Sequence, residues 1–170
     1  MNRGTDVTDW QRIVTEHGPV VFGAAWRVLG NAADAEDVAQ DVFLEAFRQF
    51  RSSAVRNWPG LLCRLATCRA LDRLRRRKNV ESLDDALAGP QPAPEDLAAG
   101  RELAERLREG VRQLAPQEAE VFCLRYFEEM SNQQIAQELH LDVGAVAVAL
   151  HKARRRLETT LNLASVRGPT

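Results

Sequence analysis

The chain has 170 residues, of which 45% are hydrophobic and 28% charged, which suits one ordinary soluble domain or two small ones. No apolar run reaches the roughly 20 residues of a membrane-spanning helix, and the N-terminus lacks the apolar core of a signal peptide. These features predict a cytoplasmic protein without membrane insertion. The net charge of −1 hides acidic and basic blocks, which indicate separate surfaces for separate partners.

Apolar residues recur at spacings of three and four, so the fold is predicted to be all-α. We expect helices over about 9–17, from there to Leu29 after an interruption at Gly18-Pro19, over 32–50, and over 58–77. The core stripes of the last two are Ala35, Val38, Val42, Ala46 and Phe50, and Leu62, Ala66, Ala70 and Leu74.

Residues 79–100 contain three prolines and several acids, and prolines do not continue a helix. This segment is predicted to be a Pro-rich acidic linker between two small helical domains, 8–78 and 101–162. In the second domain, helices are expected over about 101–114 and from Pro116 to 128.

Ser131 precedes Gln134 by three residues, which is the pattern of a capping box. The short helix that follows would bury Ile135, Ala136 and Leu139. After a three-residue turn that begins at His140, a last helix runs from Val143 to about 161. Its core stripe is Val143, Val146, Leu150, Ala153 and Leu157. Two helices, a tight turn and a basic extension predict a helix-turn-helix.

One face of the 32–50 helix is acidic and lies opposite its core stripe. It carries Asp37, Gln40, Asp41, Leu44 and Arg48. This face is either solvated or an interface, and a leucine ringed by polar side chains suits an interface with a polar rim.

The helix over 58–77 becomes strongly basic, with seven bases in residues 64–78. Its Arg69, Arg73, Arg76 and Arg77 lie outside the core stripe, so they contact phosphates or serve only capping and solubility. Trp58 and Phe50 could stack on an unpaired base, or Trp58 could be a buried anchor for the start of the helix.

No catalytic motif is present, and His17, His140 and His151 lie in different elements. The acidic spacing on one helix supplies too few converging oxygens for a metal site. We therefore expect no enzyme activity, no metal and no cofactor. The three cysteines, Cys63, Cys68 and Cys123, sit in apolar patterns and are interpreted as buried thiols, with redox sensing as the alternative.

Two blocks of the sequence together resemble one family. The first is "GNAADAEDVAQDVFLEAFRQF" with "NWPGLLCRLATCRALDRLRRRK", and the second is "LAPQEAEVFCLRYFEEMSNQQIAQELHLDVGAVAVALHKARRRL". They resemble the second and fourth conserved regions of bacterial RNA polymerase sigma factors, in the extracytoplasmic-function (ECF) class of the sigma-70 family.

The resemblance implies an initiation factor that directs core RNA polymerase to promoters and melts them. It assigns polymerase binding, at the clamp helices, to Asp37, Gln40, Asp41, Leu44 and Arg48. It assigns contacts with the minus-ten element to Arg51, Ser52, Ser53, Arg56, Asn57, Trp58, Arg69, Arg73, Arg76 and Arg77. We assign the contacts of the helix-turn-helix with the minus-thirty-five element to Ser131, Asn132, Gln133, Gly144, Ala147, Val148, His151, Lys152 and Arg155.

The implied partners are core polymerase, through its clamp helices and flap, promoter DNA, and an anti-sigma factor. The acidic linker would thread the RNA exit path. Small apolar residues at the start of the last helix predict a T-rich or weakly specified upstream element. Two alternatives stay open: a sigma-like protein that acts mainly through core-polymerase or anti-sigma contacts, and a two-domain DNA-binding regulator without polymerase binding.

Overall fold

The computed structural model describes residues 7–52, 55–81 and 95–166. All regular secondary structure in these ranges is helical, which confirms the all-α prediction. The helices are α1 (Val7–Leu29), α2 (Ala32–Ser52), α3 (Trp58–Glu81), α4 (Glu95–Gln113), α5 (Pro116–Tyr126), α6 (Asn132–Leu139) and α7 (Val143–Val166).

The predicted interruption of the first helix is wrong, because α1 runs unbroken through Pro19. An interior proline removes one helical hydrogen bond and crowds the preceding turn. Here Pro19 is exposed, and the residues after it, Val21 to Leu29, bury an apolar face that holds the helix together. Helix α1 ends where expected, because Gly30 adopts a φ of 64°, a left-handed conformation that glycine tolerates.

The α2 and α3 core stripes are buried as predicted, except that Phe50 is only partly buried. Phe50 belongs to an aromatic cluster with Trp10, Phe43, Phe47 and Trp58, where α1 begins, α2 ends and α3 begins. The ring centroid of Trp58 lies 5.8 Å from that of Phe50 and 6.0 Å from that of Trp10. The structure therefore favours the anchoring role of Trp58 over base stacking.

Helices occupy both ends of the predicted linker 79–100. Helix α3 continues to Glu81 and α4 already begins at Glu95, whereas residues 82–94 lie outside the described ranges. The domain boundaries 8–78 and 101–162 remain a prediction.

The helix-turn-helix forms as predicted. Helix α5 begins at Pro116, and Ser131 and Gln134 complete a reciprocal capping box at the start of α6. His140 ends α6 with φ 54° and ψ 44°, in the left-handed region. One core prediction for α7 is wrong: Val143 is 46% exposed, because it opens the helix before the core face begins, and Ala149 is buried in addition to the stripe.

Two apolar clusters hold the described residues together. The smaller one belongs to the helix-turn-helix and includes Ile135 and Val146. The larger one joins α1, α2 and α3 to residues of α4, α5 and α7, such as Val111, Cys123 and Leu157. The two halves of the chain are therefore packed on each other, and α5 contributes to both clusters.

Candidate functional site

The acidic face of α2 is exposed along its length. Asp37, Gln40, Asp41, Leu44 and Arg48 are all exposed, and Leu44 is 61% exposed within this polar setting. A surface with a large apolar side chain at its centre and a polar rim has the composition of a protein interface.

The basic face of α3 forms ion pairs with acidic residues of α2. This contact was not predicted from the sequence. Arg69 lies 2.6 Å from a Glu45 carboxylate oxygen, and Arg73 bonds both Asp34 at 2.7 Å and Asp37 at 2.9 Å. The hydrogen bonds that Arg69 donates to Glu45 and Arg73 donates to Asp34 raise the pKa of both guanidinium groups.

Arg77 also approaches Asp34, at 3.3 Å, and Arg76 is exposed. The acidic and basic blocks therefore neutralise each other in part. Their complementary charges were the only feature of the sequence that indicated ion pairing between α2 and α3. Sequence spacing alone does not show which faces of two helices meet.

The segment before α3 presents polar side chains at the surface. Arg51, Arg56 and Asn57 are exposed, Ser52 is the last residue of α2, and Ser53 lies outside the described residues. Asn57 caps α3, because its Oδ1 accepts a hydrogen bond from the Gly60 backbone N–H at 3.2 Å.

The predicted DNA-facing residues of the helix-turn-helix share an exposed surface. All nine are exposed except Asn132, which is half-buried, and Val148 is 54% exposed. Cationic side chains lie in the C-terminal part of this surface, at Lys152 and Arg155, whereas the N-terminal part is small and apolar. The surface can therefore contact phosphates but has few groups that donate hydrogen bonds to base edges.

A third set of polar contacts joins the two halves of the chain, and we call it the seam. Arg27, at the end of α1, forms a bidentate pair with Glu128, which follows α5. Asn57 donates a hydrogen bond to Glu138 of α6 at 2.6 Å. Neither glutamate could be identified from the sequence, because no local pattern marks a contact between positions so far apart in the chain.

The cysteines lie at this seam. Cys123 is fully buried, as predicted, whereas Cys63 and Cys68 are half-buried. Burial raises the pKa of the Cys63 thiol to about 12, with a further contribution from Glu128. Burial and a hydrogen bond to Glu120 likewise raise the pKa of Cys68. A protonated thiol is a poor nucleophile, so the redox-sensing alternative loses support.

Within the described ranges, no group of histidine, cysteine and acidic side chains could hold a metal ion. No helix in those ranges has the length and apolar content needed to cross a membrane.

The comparisons with known proteins agree with this architecture. A family model described as Sigma-70 region 2 matches residues 13–80, and one described as Sigma-70, region 4 matches residues 104–157. The ECF RNA polymerase sigma factor SigW of Bacillus subtilis is 29% identical over 162 residues, covering 88% of this chain and 87% of that protein.

Two solved structures share the fold. One is CnrH in complex with the cytosolic domain of CnrY, with a TM-score of 0.62 and 23% identity over 93% of this chain and 90% of that one. The other is the sigma factor RpoE in complex with the anti-sigma factor NepR from Bartonella quintana, with a TM-score of 0.58 and 19% identity over 91% and 97%.

The fold and its exposed surfaces define an all-helical protein with a helix-turn-helix. The two region models, which together match most of the chain, show that it belongs to the sigma-70 family. The curated relatives that it resembles, SigW among them, are ECF-class factors. It is a transcription initiation factor of the promoter-directing kind.

Proposed function

We propose that this chain binds core RNA polymerase through the exposed face of α2, recognises the minus-ten element through the start and basic face of α3, and melts the promoter there. Region 4 holds the upstream element through its helix-turn-helix. The observation that carries the proposal is Leu44, which is 61% exposed at the centre of the acidic face.

The chemistry of melting fits these surfaces. Extruding a base costs a few kcal/mol, which protein contacts must offset. Exposed arginines beside Asn57 supply phosphate affinity without sequence preference. Binding energy is thereby coupled to strand separation, and the chain itself performs no catalysis.

The remaining partners follow from the same proposal. The factor works in the cytoplasm, contacts the clamp helices and flap of polymerase, and places its 79–100 linker in the RNA exit path. An anti-sigma factor holds it inactive. Relatives of the same fold are described in complex with anti-sigma factors, which supports that last element.

The decisive experiment is to reconstitute the chain with core polymerase and to sequence the 5′ ends of transcripts made from genomic DNA. We expect new start sites that share an upstream motif. Polymerase binding without new start sites would favour the alternative, a sigma-like protein that acts mainly through protein contacts; the small apolar side chains around Val148 are its support. DNA binding without polymerase binding would favour an ordinary two-domain regulator.

The polymerase contact has a matched control within the chain. Leu44→Arg should abolish holoenzyme assembly, because a charge replaces the apolar centre of the interface. Leu103 on α4 is 60% exposed, nearly the same as Leu44, so Leu103→Arg should leave assembly intact. Equal behaviour of the two variants in a polymerase pull-down would contradict the assignment.

A further inference from the structure

Glu128 is a nearly buried carboxylate on which the two halves of the chain meet. Its side chain is 4% exposed, and it accepts three hydrogen bonds from Arg27 at 2.7 to 3.1 Å. A buried carboxylate that loses its cationic partner is strongly unfavourable. The pair therefore ties the end of α1 to the segment after α5.

Glu138 makes the second contact, at the start of α3. One of its oxygens accepts a hydrogen bond from Asn57 Nδ2, while Asn57 Oδ1 caps the helix at Gly60. A Cβ at Gly60 would overlap both the Asn57 amide and the Glu138 carboxylate. The absence of a side chain at Gly60 thus allows α6 to reach this cap.

The two contacts have a consequence for promoter binding. The minus-ten and minus-thirty-five elements lie about 25 base pairs apart, or about 85 Å at ~3.4 Å per base pair. In the structure, Asn57, assigned to the first element, is hydrogen-bonded to the helix-turn-helix that is assigned to the second. The closed chain therefore cannot contact both elements at once.

We propose that Glu128 and Glu138 form a latch that holds the helix-turn-helix half on α1 and α3 and withholds Asn57 from DNA. The DNA part of this proposal rests on the proposed function. Asn57 stays exposed in the closed form, but Glu138 occupies the amide donor that a promoter strand would use and places a negative charge beside it, so the closed form is self-blocking. Opening of the seam must precede contact with promoter DNA.

The native Cys68 can report opening, so no cysteine has to be introduced. It lies on α3, donates to Glu120 of α5 across the seam, and is half-buried. Opening removes both the burial and the carboxylate that raise its pKa, so a maleimide should react faster. Cys63 is unsuitable, because Glu128 itself raises its pKa.

The experiment compares the full-length chain with the double variant Glu128→Gln/Glu138→Gln. The control is Glu129→Gln/Glu158→Gln, which changes two exposed glutamates and gives the same net charge. Labelling of Cys68 is measured by peptide mass spectrometry, and circular dichroism checks the helix content. We expect labelling to be about tenfold faster or more in the latch variant, because charged hydrogen bonds are lost, and unchanged in the control.

DNA affinity is measured on the same proteins with a fluorescent single-stranded oligonucleotide of random sequence. The latch variant should bind more tightly than the control of equal charge. Unchanged Cys68 labelling overturns the latch. Faster labelling without tighter DNA binding overturns the withholding of Asn57, and with it the minus-ten assignment, while the mechanical latch stands.

A charge swap keeps the test valid if the glutamine variant is unstable. Arg27→Glu alone places two carboxylates together and should open the seam. Arg27→Glu combined with Glu128→Arg should restore slow labelling of Cys68, because the pair is rebuilt with its direction reversed. Failure of the swap to slow labelling relative to Arg27→Glu would count against the ion pair as the closing contact.

Discussion

Asp37 and Arg73 are bonded to each other between α2 and α3, with 2.9 Å between Oδ2 and the guanidinium nitrogen. We assign Asp37 to the polymerase contact and Arg73 to the promoter contact, so one ion pair joins the two proposed surfaces. Arg73 also bonds Asp34 at 2.7 Å. It therefore keeps its position when Asp37 is altered or is engaged by another protein.

Asp37→Asn should weaken the binding of core polymerase by about tenfold, as expected for loss of one charged interface contact. DNA affinity should change little, because Asp34 still holds Arg73. Fluorescence anisotropy with core polymerase measures the first effect. Glu36 is an exposed neighbour outside the contact face, and an equal loss in Glu36→Gln would contradict the assignment.

Arg155→Ala should weaken DNA binding about equally for all sequences and reduce the slope of log affinity against log salt by about 1, because one phosphate contact is lost. Val148→Arg should instead change the sequence preference of the upstream element, because it adds a donor to base edges. Selection from a randomised duplex library distinguishes the two. A strong sequence-dependent effect of Arg155→Ala would refute its placement on phosphate.

His140→Gly should stabilise the protein by about 0.5–1 kcal/mol, because φ 54° strains a residue with a Cβ and suits glycine. His140→Ala keeps the strain and should give no such gain. Urea unfolding measures both variants. A loss of stability in the glycine variant would mean that the imidazole makes a contact worth more than the strain.

Thr67→Val should stabilise the protein by about 1 kcal/mol. Thr67 is fully buried on α3, and its hydroxyl has no hydrogen-bond partner among the described residues. Thr160 is the control, because its hydroxyl donates to the Arg156 carbonyl at 2.9 Å. Thr160→Val should be neutral or slightly destabilising in the same thermal or urea unfolding assay.

Alkaline pH should destabilise the protein through Cys63. Its pKa is raised from 9.0 to about 12 in the folded state, mainly by burial. Above pH 9.0 the unfolded thiol loses its proton while the folded thiol keeps it, so stability falls as pH rises from about 9 to about 12. Cys63→Ala should lose less stability between pH 8 and pH 10 in urea unfolding. The same slope in both proteins would show that Cys63 is not responsible.

Features set by neighbouring residues were predictable from the sequence. The capping box of Ser131 and Gln134, the turn at His140 and the buried stripe of α3 depend on spacing over one or two helical turns. The helix break predicted at Pro19 was wrong, because a proline indicates a break only from local sequence, whereas the packing that keeps α1 continuous is tertiary.

The seam could not be predicted in this way. Arg27 and Glu128 lie 101 positions apart, and Asn57 and Glu138 lie 81 apart. Each is an ordinary polar residue in its own segment, and only the packing of α5 and α6 on α3 brings the partners together. The exposed face of α2 could be predicted because its polar and charged residues recur at helical spacing. Its ion pairs with the α3 arginines could not, because, like the seam, they depend on how separate helices pack.

The shared apolar cluster has a consequence during synthesis. Helices α1 to α3 are made first, but their cluster is completed by α4, α5 and α7. At about 5–20 residues per second, the roughly 75 residues from the end of α3 to Leu157 of α7 take about 4–15 seconds to translate. During that interval the nascent first half exposes its unpaired apolar side to the cell, so chaperones and other binding proteins have their best access to it before the chain is finished.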